Sequence, residues 1–275
     1  MNISLCNELF NAAVPVQELA HRCNEIGIGG LELAPETVFA SGGRPSNREL
    51  VRLRRVFRDA GIRFCGFHWL LRHDPSLRLI TDSSPSMSPA WQTILRLAAA
   101  AAEIGGGVLV LGSGEQRRHP VTMTAEEAMR AFREGARFIA ERVGSTVTLG
   151  IEPLPSHRTN LLTTFDDVLR LVETIALDTL GVVFDLRSAG HEHPPVWDHL
   201  AHPSNSICHV HVQHNDGTLP RPSSPGLMTT LSSLRKRSYP GWISLEPFSI
   251  GSDVERALKR VHRIAAWMHT NATPR

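Results

Sequence analysis

Tyrosine occurs once in this chain of 275 residues, and cysteine four times. Cys6, Cys23, Cys65 and Cys208 share no C-x-x-C spacing, which argues against a zinc knuckle or a dithiol redox motif and for buried, reduced thiols. No apolar stretch approaches the roughly 20 residues of a membrane helix. The opening MNISLCNELFNAAVP has no basic segment followed by an apolar core. A cytoplasmic protein without a membrane partner is the expectation. Charge of one sign is missing too: 29 Lys and Arg against 27 Asp and Glu leave a net +2, so nothing draws the chain to nucleic acid. No Pro/Ser/Gly linker divides the sequence, and no G-x-G-x-x-G follows an early strand, which disfavours two domains and a Rossmann fold.

What remains is regular alternation. Short β-rich runs are expected at Asn2–Cys6, Gly30–Ala34, Arg63–His68, Val108–Gly112, Thr146–Glu152, Gly181–Asp185, Ser206–Val212 and Trp242–Glu246. Between and after them lie amphipathic helical patterns around Pro15–Ile26, Ser46–Ala60, Ser88–Ile104, Thr124–Val143, Thr164–Ile175, Val196–Ala201, Leu227–Arg237 and Val254–Met268. Eight strands in strict alternation with helices, several apolar throughout, predict an α/β fold: a single (β/α)₈ TIM barrel over residues 1–275. The Gly105–Gly107 run precedes a strand and is read as a helix terminator. Two long loops, Leu71–Ser86 and Asn215–Gly226, leave strand C-terminal ends, where barrel enzymes carry substrate loops and lids.

Glu152, Asp185, His211 and Glu246 stand at the ends of the last four strands, spaced 33, 26 and 35 residues apart, about one strand-plus-helix unit each. A parallel barrel gathers those ends on one face. Three carboxylates and one imidazole suit one divalent cation, Mn²⁺, Mg²⁺ or Co²⁺, and Zn²⁺ also accepts such a set. No comparable acidic set is read after the first four strands. Glu32 alternates with Leu31 and Leu33 and is expected to point inward, toward substrate or a buried basic partner. His209 shares a strand face with His211, one layer deeper, where a hydrogen-bonded core histidine is an equal alternative to a ligand. His68 and Trp69 offer a polar contact and an apolar wall for a small ligand, or else a capped histidine beside a packed aromatic. Gln116 and Arg117, in GSGEQRRHP, are candidates for substrate hydroxyls; that turn is too short to argue for a phosphate nest.

The motifs GGLELAP, GFHWLL, VLGSGEQR, GIEPL, FDL, HVHVQHNDG followed by SPGL, and GWISLEPF together resemble the xylose isomerase-like barrel superfamily, in family order and over essentially the whole chain. The resemblance implies one divalent ion held by Glu152, Asp185, His211 and Glu246, with Glu152 and Glu246 also acting as the catalytic acid–base pair. Departures from the family pattern concern substrate handling. Relatives place a histidine three residues after the sixth-strand Asp; here that position is Ser188, with His191 nearby. In place of an acidic residue and an Arg close behind the seventh-strand His, the chain offers His214, Asp216 and Arg221. The endonuclease branch needs a further histidine on the fourth strand, where Leu111, Gly112 and Ser113 stand.

The resulting expectation is a manganese-type, metal-dependent isomerase or epimerase of carbohydrate metabolism. It would act on a small sugar or polyol by proton transfer through an enediolate, and Ser188 would leave room for a bulkier substrate than a simple ketose. A lyase or dehydratase of a keto-polyol or keto-glycoside is the second reading, and a barrel retained only for binding, or as a partner subunit, is the third. Self-association into a homo-oligomer is compatible with all three.

Overall fold

Eight parallel strands close on themselves in sequence order. They are β1 Asn2–Cys6, β2 Gly30–Leu33, β3 Arg63–Phe67, β4 Gly107–Leu111, β5 Val147–Ile151, β6 Leu180–Asp185, β7 Ile207–Val212 and β8 Trp242–Leu245, with β8 pairing back onto β1. Around them run α1 Val16–Glu25, α2 Pro35–Val38, α3 Asn47–Ala60, α4 Pro89–Ile104, α5 Ala125–Ala140, α6 Phe165–Ile175, α7 Leu186–His191, α8 Leu227–Lys236 and α9 Val254–Asn271. This computed structural model describes residues 1–10, 13–197, 200 and 206–271. The architecture is the expected single (β/α)₈ barrel.

Local chemistry explains where the helices begin. Ser46 and Glu49 form a reciprocal capping box at the start of α3, and Thr124 and Glu127 do the same for α5. Gly61, at φ 68°, ends α3 in the left-handed conformation that suits glycine. α4 stops at Ile104 and is followed by Gly105–Gly107, as expected of that glycine run. Two short helices escaped the periodicity. α2 has four residues, too few to show a period, and α7 starts directly at the end of β6 because the Asp185 side chain accepts from Ser188 N. Of the helix expected over Val196–Ala201, positions 198, 199 and 201 lie outside the described residues, and in the described part the crossover helix is α7 instead.

The strands are buried on both faces, with Leu5, Leu31, Leu33, Phe67, Leu109, Leu149, Val182 and Leu245 sealed from solvent. Gly66 permits the closest approach in the wall: at φ 141°, a Cβ there would lie 1.9 Å from Val108 O. Register shifts between Leu31 and Glu32 on β2 and between Val182 and Val183 on β6 occur next to site residues, where bulges re-aim side chains.

Residues 71–86 form a packed loop. Leu71, Leu77, Leu79 and Ile80 are buried, Leu79 N donates to Gln116 O at 2.7 Å, and Trp91 Nε1 donates to Leu79 O at 3.1 Å. Among the described residues no helix is long and apolar enough to cross a membrane.

Candidate metal centre

Glu152 and Glu246 follow β5 and β8 by one residue, while Asp185 and His211 belong to β6 and β7. All four are buried at the C-terminal mouth, and each offers a donor atom within 4.8 Å of the others. The four-ligand cluster read from the sequence is thus assembled by the barrel.

The donor atoms fit a cation. Asp185 spends Oδ1 on Ser188 N at 2.6 Å and leaves Oδ2 buried without a partner. His211 Nδ1 lies 3.2 Å from Glu246 Oε2 and 4.0 Å from Glu152 Oε1, yet makes no well-formed hydrogen bond. Its other nitrogen, Nε2, is held by Glu32 at 3.1 and 3.2 Å. A carboxylate behind the far nitrogen of a metal-binding imidazole fixes its tautomer and turns the near one toward the ion. Crowding without a cation is visible in the ionisation of the site. Burial first, then Glu246 and Asp185, push the Glu152 carboxyl up to about 8. Burial likewise raises Glu246, with His211 working against it. Burial opposes the charge on His211, but Glu32 and Glu246 outweigh it and hold the imidazole well above its ordinary value.

Beneath this set lies a polar plug. Glu32, sealed from solvent, accepts from Ser244 Oγ at 2.6 Å, pairs with His209 Nε2 at 2.7 Å, and supports His211. Ser244 and Ser4 hydroxyls meet at 2.6 Å. Burial works to raise Glu32, yet His211 and His209 together hold it well below the usual carboxylate range. Glu32 therefore found its buried basic partners, and His209 is the hydrogen-bonded core histidine.

Besides Glu32, the first half of the barrel contributes one acid that the sequence did not single out. Glu8, two residues beyond β1, pairs with His68 Nε2 at 2.8 Å and keeps Oε1 buried and unpartnered. The signal was there in SLCNEL, but Glu8 lies past the strand and outside the end-of-strand pattern. Cys6 lies close enough to group with Glu8 and His68. Burial, with Glu32 and Glu8 nearby, pushes that thiol well up.

Above the ligands opens a cleft. His68, Trp69, Ser188 and His191 line it, as expected. Gln116, Arg117, His214 and Arg221 do not. Gln116 Nε2 donates to Leu71 O at 3.4 Å. Arg117 is fully buried, donating to Glu152 O at 2.8 Å and Leu162 O at 3.4 Å, so it holds the backbone that carries Glu152. His214 binds the Ser224 hydroxyl at 2.8 Å, and Arg221 pairs with Asp216 at 2.8 Å. The two long loops, 71–86 and 215–226, also contribute no lining residue among those described. The β5 loop and α7 take that place, with Leu154, His157 and Arg158 from the first, Arg187 from the second, and Phe248 from beyond β8. The β5 loop carries no glycine-rich or repeated motif, and α7 is too short to show a period.

A closed parallel barrel with a Glu–Asp–His–Glu cluster at its mouth defines a class before any comparison. The chain belongs to the xylose isomerase-like TIM barrel family, whose model matches residues 20–268. It is 25% identical over 137 residues to a probable ketose 3-epimerase of Synechocystis sp.; the match spans 48% of this chain and 48% of that protein, about half of either. Among solved structures it is similar to D-psicose 3-epimerase with D-tagatose from Clostridium cellulolyticum H10, at TM-score 0.80 and 14% identity over 100% of both chains. It is also similar to 3-keto-D-glucoside 4-epimerase from E. coli, at TM-score 0.80 and 18% identity over 98% of this chain and 99% of that one. At such identities the structural likeness speaks for the fold.

Proposed function

We propose that this barrel is a divalent-metal-dependent epimerase or isomerase of ketose-like sugars, with Glu152 and Glu246 as its acid–base pair. The observation that carries the reading is the unpartnered pair of buried donors, Asp185 Oδ2 and His211 Nδ1, turned toward two carboxylates. The named activities of the similar epimerases are sugar epimerisations, which is the same chemistry. Asp185, His211, Glu152 and Glu246 would hold the ion, and the oxygen-rich set suits Mn²⁺, Mg²⁺ or Co²⁺. When bound, such an ion supplies a Lewis acid that makes the C–H beside a carbonyl acidic.

The chain's own residues do the rest. Glu152 and Glu246 arrive from β5 and β8, strands on different sides of the β6–β7 wall that carries Asp185 and His211. Each carboxylate has a second oxygen free for a proton. One takes the proton from the carbon beside the carbonyl, and the other returns it to the opposite face. His68, with Nε2 on Glu8 at 2.8 Å and Nδ1 3.5 Å from Glu32, is held at the cleft wall. Trp69 offers an apolar wall at the cleft, and Ser188, with the room it leaves, admits a modified or larger keto-sugar.

The test is solvent exchange. Metal-loaded protein incubated with ketoses in D₂O should introduce deuterium beside the carbonyl without losing water, as read by NMR; loss of water instead identifies a lyase. Glu152→Gln and Glu246→Gln, assayed at saturating metal, should each abolish net conversion of substrate to product. Parental turnover in either variant would remove the proton-transfer roles.

A further inference from the structure

The cleft has two poles. Among the described residues, the carboxylates that line it are Glu152, Asp185 and Glu246, all in the ligand cluster at its floor. The wall formed by the β5 loop and α7 instead carries Arg158, Arg187, His157 and His191. Neither arginine makes an ion pair among the described residues, although this chain pairs arginine with carboxylates elsewhere, as in Arg221–Asp216 and Arg170–Asp167.

Arg187 is held ready rather than left loose. Its Nε donates to Asn215 O at 3.2 Å, and its Cζ sits 5.3 Å from the centre of the Phe248 ring. That leaves both terminal nitrogens of the guanidinium available as a fork. Arg158 makes no side-chain hydrogen bond among the described residues. The rings of His157 and His191 meet edge to face, 5.6 Å apart. Burial, and then Arg187 and His157, lower His191 from its ordinary value, as a wall with surplus positive charge should. Two arginines on one cleft wall, neither in an ion pair among the described residues, form an anion receptor, and a pre-oriented guanidinium fork matches the oxygens of a phosphate or carboxylate.

We propose that the substrate is anionic: a keto-sugar carrying a phosphate monoester or a carboxylate at the end remote from the reacting carbon, received by Arg158 and Arg187. This rests on the reading of the floor of the cleft as the proton-transfer centre, which fixes which end of the substrate is remote. A neutral ketose leaves both guanidinium groups to water.

Binding of unreactive polyols tests the inference without turnover. Sorbitol, sorbitol 6-phosphate and gluconate are titrated by calorimetry into metal-loaded protein and into the Arg158→Gln/Arg187→Gln double variant, with circular dichroism to check folding. The expected result is that one of the anions binds at least about tenfold more tightly than sorbitol, and that the double variant brings the two within about twofold. The anion that shows the gap names the charged group. Equal affinities in the parent, or a gap that survives in the double variant, overturn the proposal. If the double variant does not fold, the parent decides the matter alone: the gap must shrink as salt rises from about 20 mM to about 500 mM, because exposed charges are screened over that range, and a salt-independent gap overturns it. None of the probes has a carbonyl, so an anion gap without deuterium exchange separates this inference from a failure of the epimerase reading. Exchange with neutral ketoses and no anion gap separates them the other way.

Discussion

Glu32→Gln removes one charge from the interior of the barrel and almost no volume. The carboxylate it replaces receives His209, His211 and Ser244, at distances from 2.6 to 3.2 Å. A carboxylate only accepts, so it obliges His211 to carry its proton on Nε2 and leave Nδ1 open. The amide of a glutamine has one accepting oxygen and one donating nitrogen. If the nitrogen faces His211, the proton moves to Nδ1, on the side of Glu246, where it blocks a cation. If the oxygen faces His211, the nitrogen confronts His209 and Ser244, and one of them must reverse its hydrogen bond. Losing an outer partner of a metal-binding histidine costs about 10- to 100-fold in metal affinity, or about 1.4 to 2.8 kcal/mol. Competition of Mn²⁺ against a chelating indicator at pH 7.5 measures this, with circular dichroism confirming that the variant is folded. A folded Glu32→Gln protein that binds Mn²⁺ within twofold of the parent would refute the claim that Glu32 sets the imidazole tautomer.

Metal affinity should rise with pH up to about 8, where Glu152 loses its proton, and His211 should release another on binding, giving a calorimetric heat that depends on the buffer. The stability of metal-free protein should run the opposite way. Glu152 is raised in the fold, so the native state holds a proton that the unfolded chain releases, and stability falls from the ordinary carboxylate range up to pH 8; His211, also raised, adds a loss of the same sign as pH rises through its folded value. Thermal melts across pH 5–9 with and without Mn²⁺ check this, and a metal-free melt that strengthens over that window contradicts it. Gly112→Ala puts a Cβ 2.3 Å from Glu152 Oε2, the movable end of that side chain, so kcat should fall by about tenfold or more while the melting temperature barely changes; unaltered kcat would show that the carboxylate has somewhere else to go. Arg117→Met strips the donors from Glu152 O and Leu162 O and should destabilise by about 1–3 kcal/mol, read as a lower melting temperature, and an unchanged melt would contradict the anchoring role.

The strands and the ligand set were legible because both follow from periodicity. A strand buried on two faces reads as a short apolar run, and a parallel barrel forces the ends of such runs onto one face, so Glu152, Asp185, His211 and Glu246 had to converge. The cleft wall was less legible. Arg117 looked like a ligand-facing arginine in GSGEQRRHP, but a side chain in a turn can aim either way, and this one aims inward at backbone carbonyls. Glu8 was missed because it lies two residues past β1, where the alternation that assigned the other acids no longer applies. Loop length also misled: residues 71–86 build a small apolar layer of their own, whereas the β5 loop and α7 reach the cleft.

The contact between Ser4 and Ser244 ties the first strand to the last, and Glu32 extends the tie from β2 to β7. The polar plug therefore spans the seam where the barrel closes. A chain lacking its final forty residues would hold Glu32 without Ser244 and the candidate metal cluster without Glu246. Closing the ring and completing that cluster therefore go together, and on the proposed reading a cation added during refolding should select against open forms. Separate N- and C-terminal halves of this protein should accordingly gain activity only together, and more readily when the ion is present.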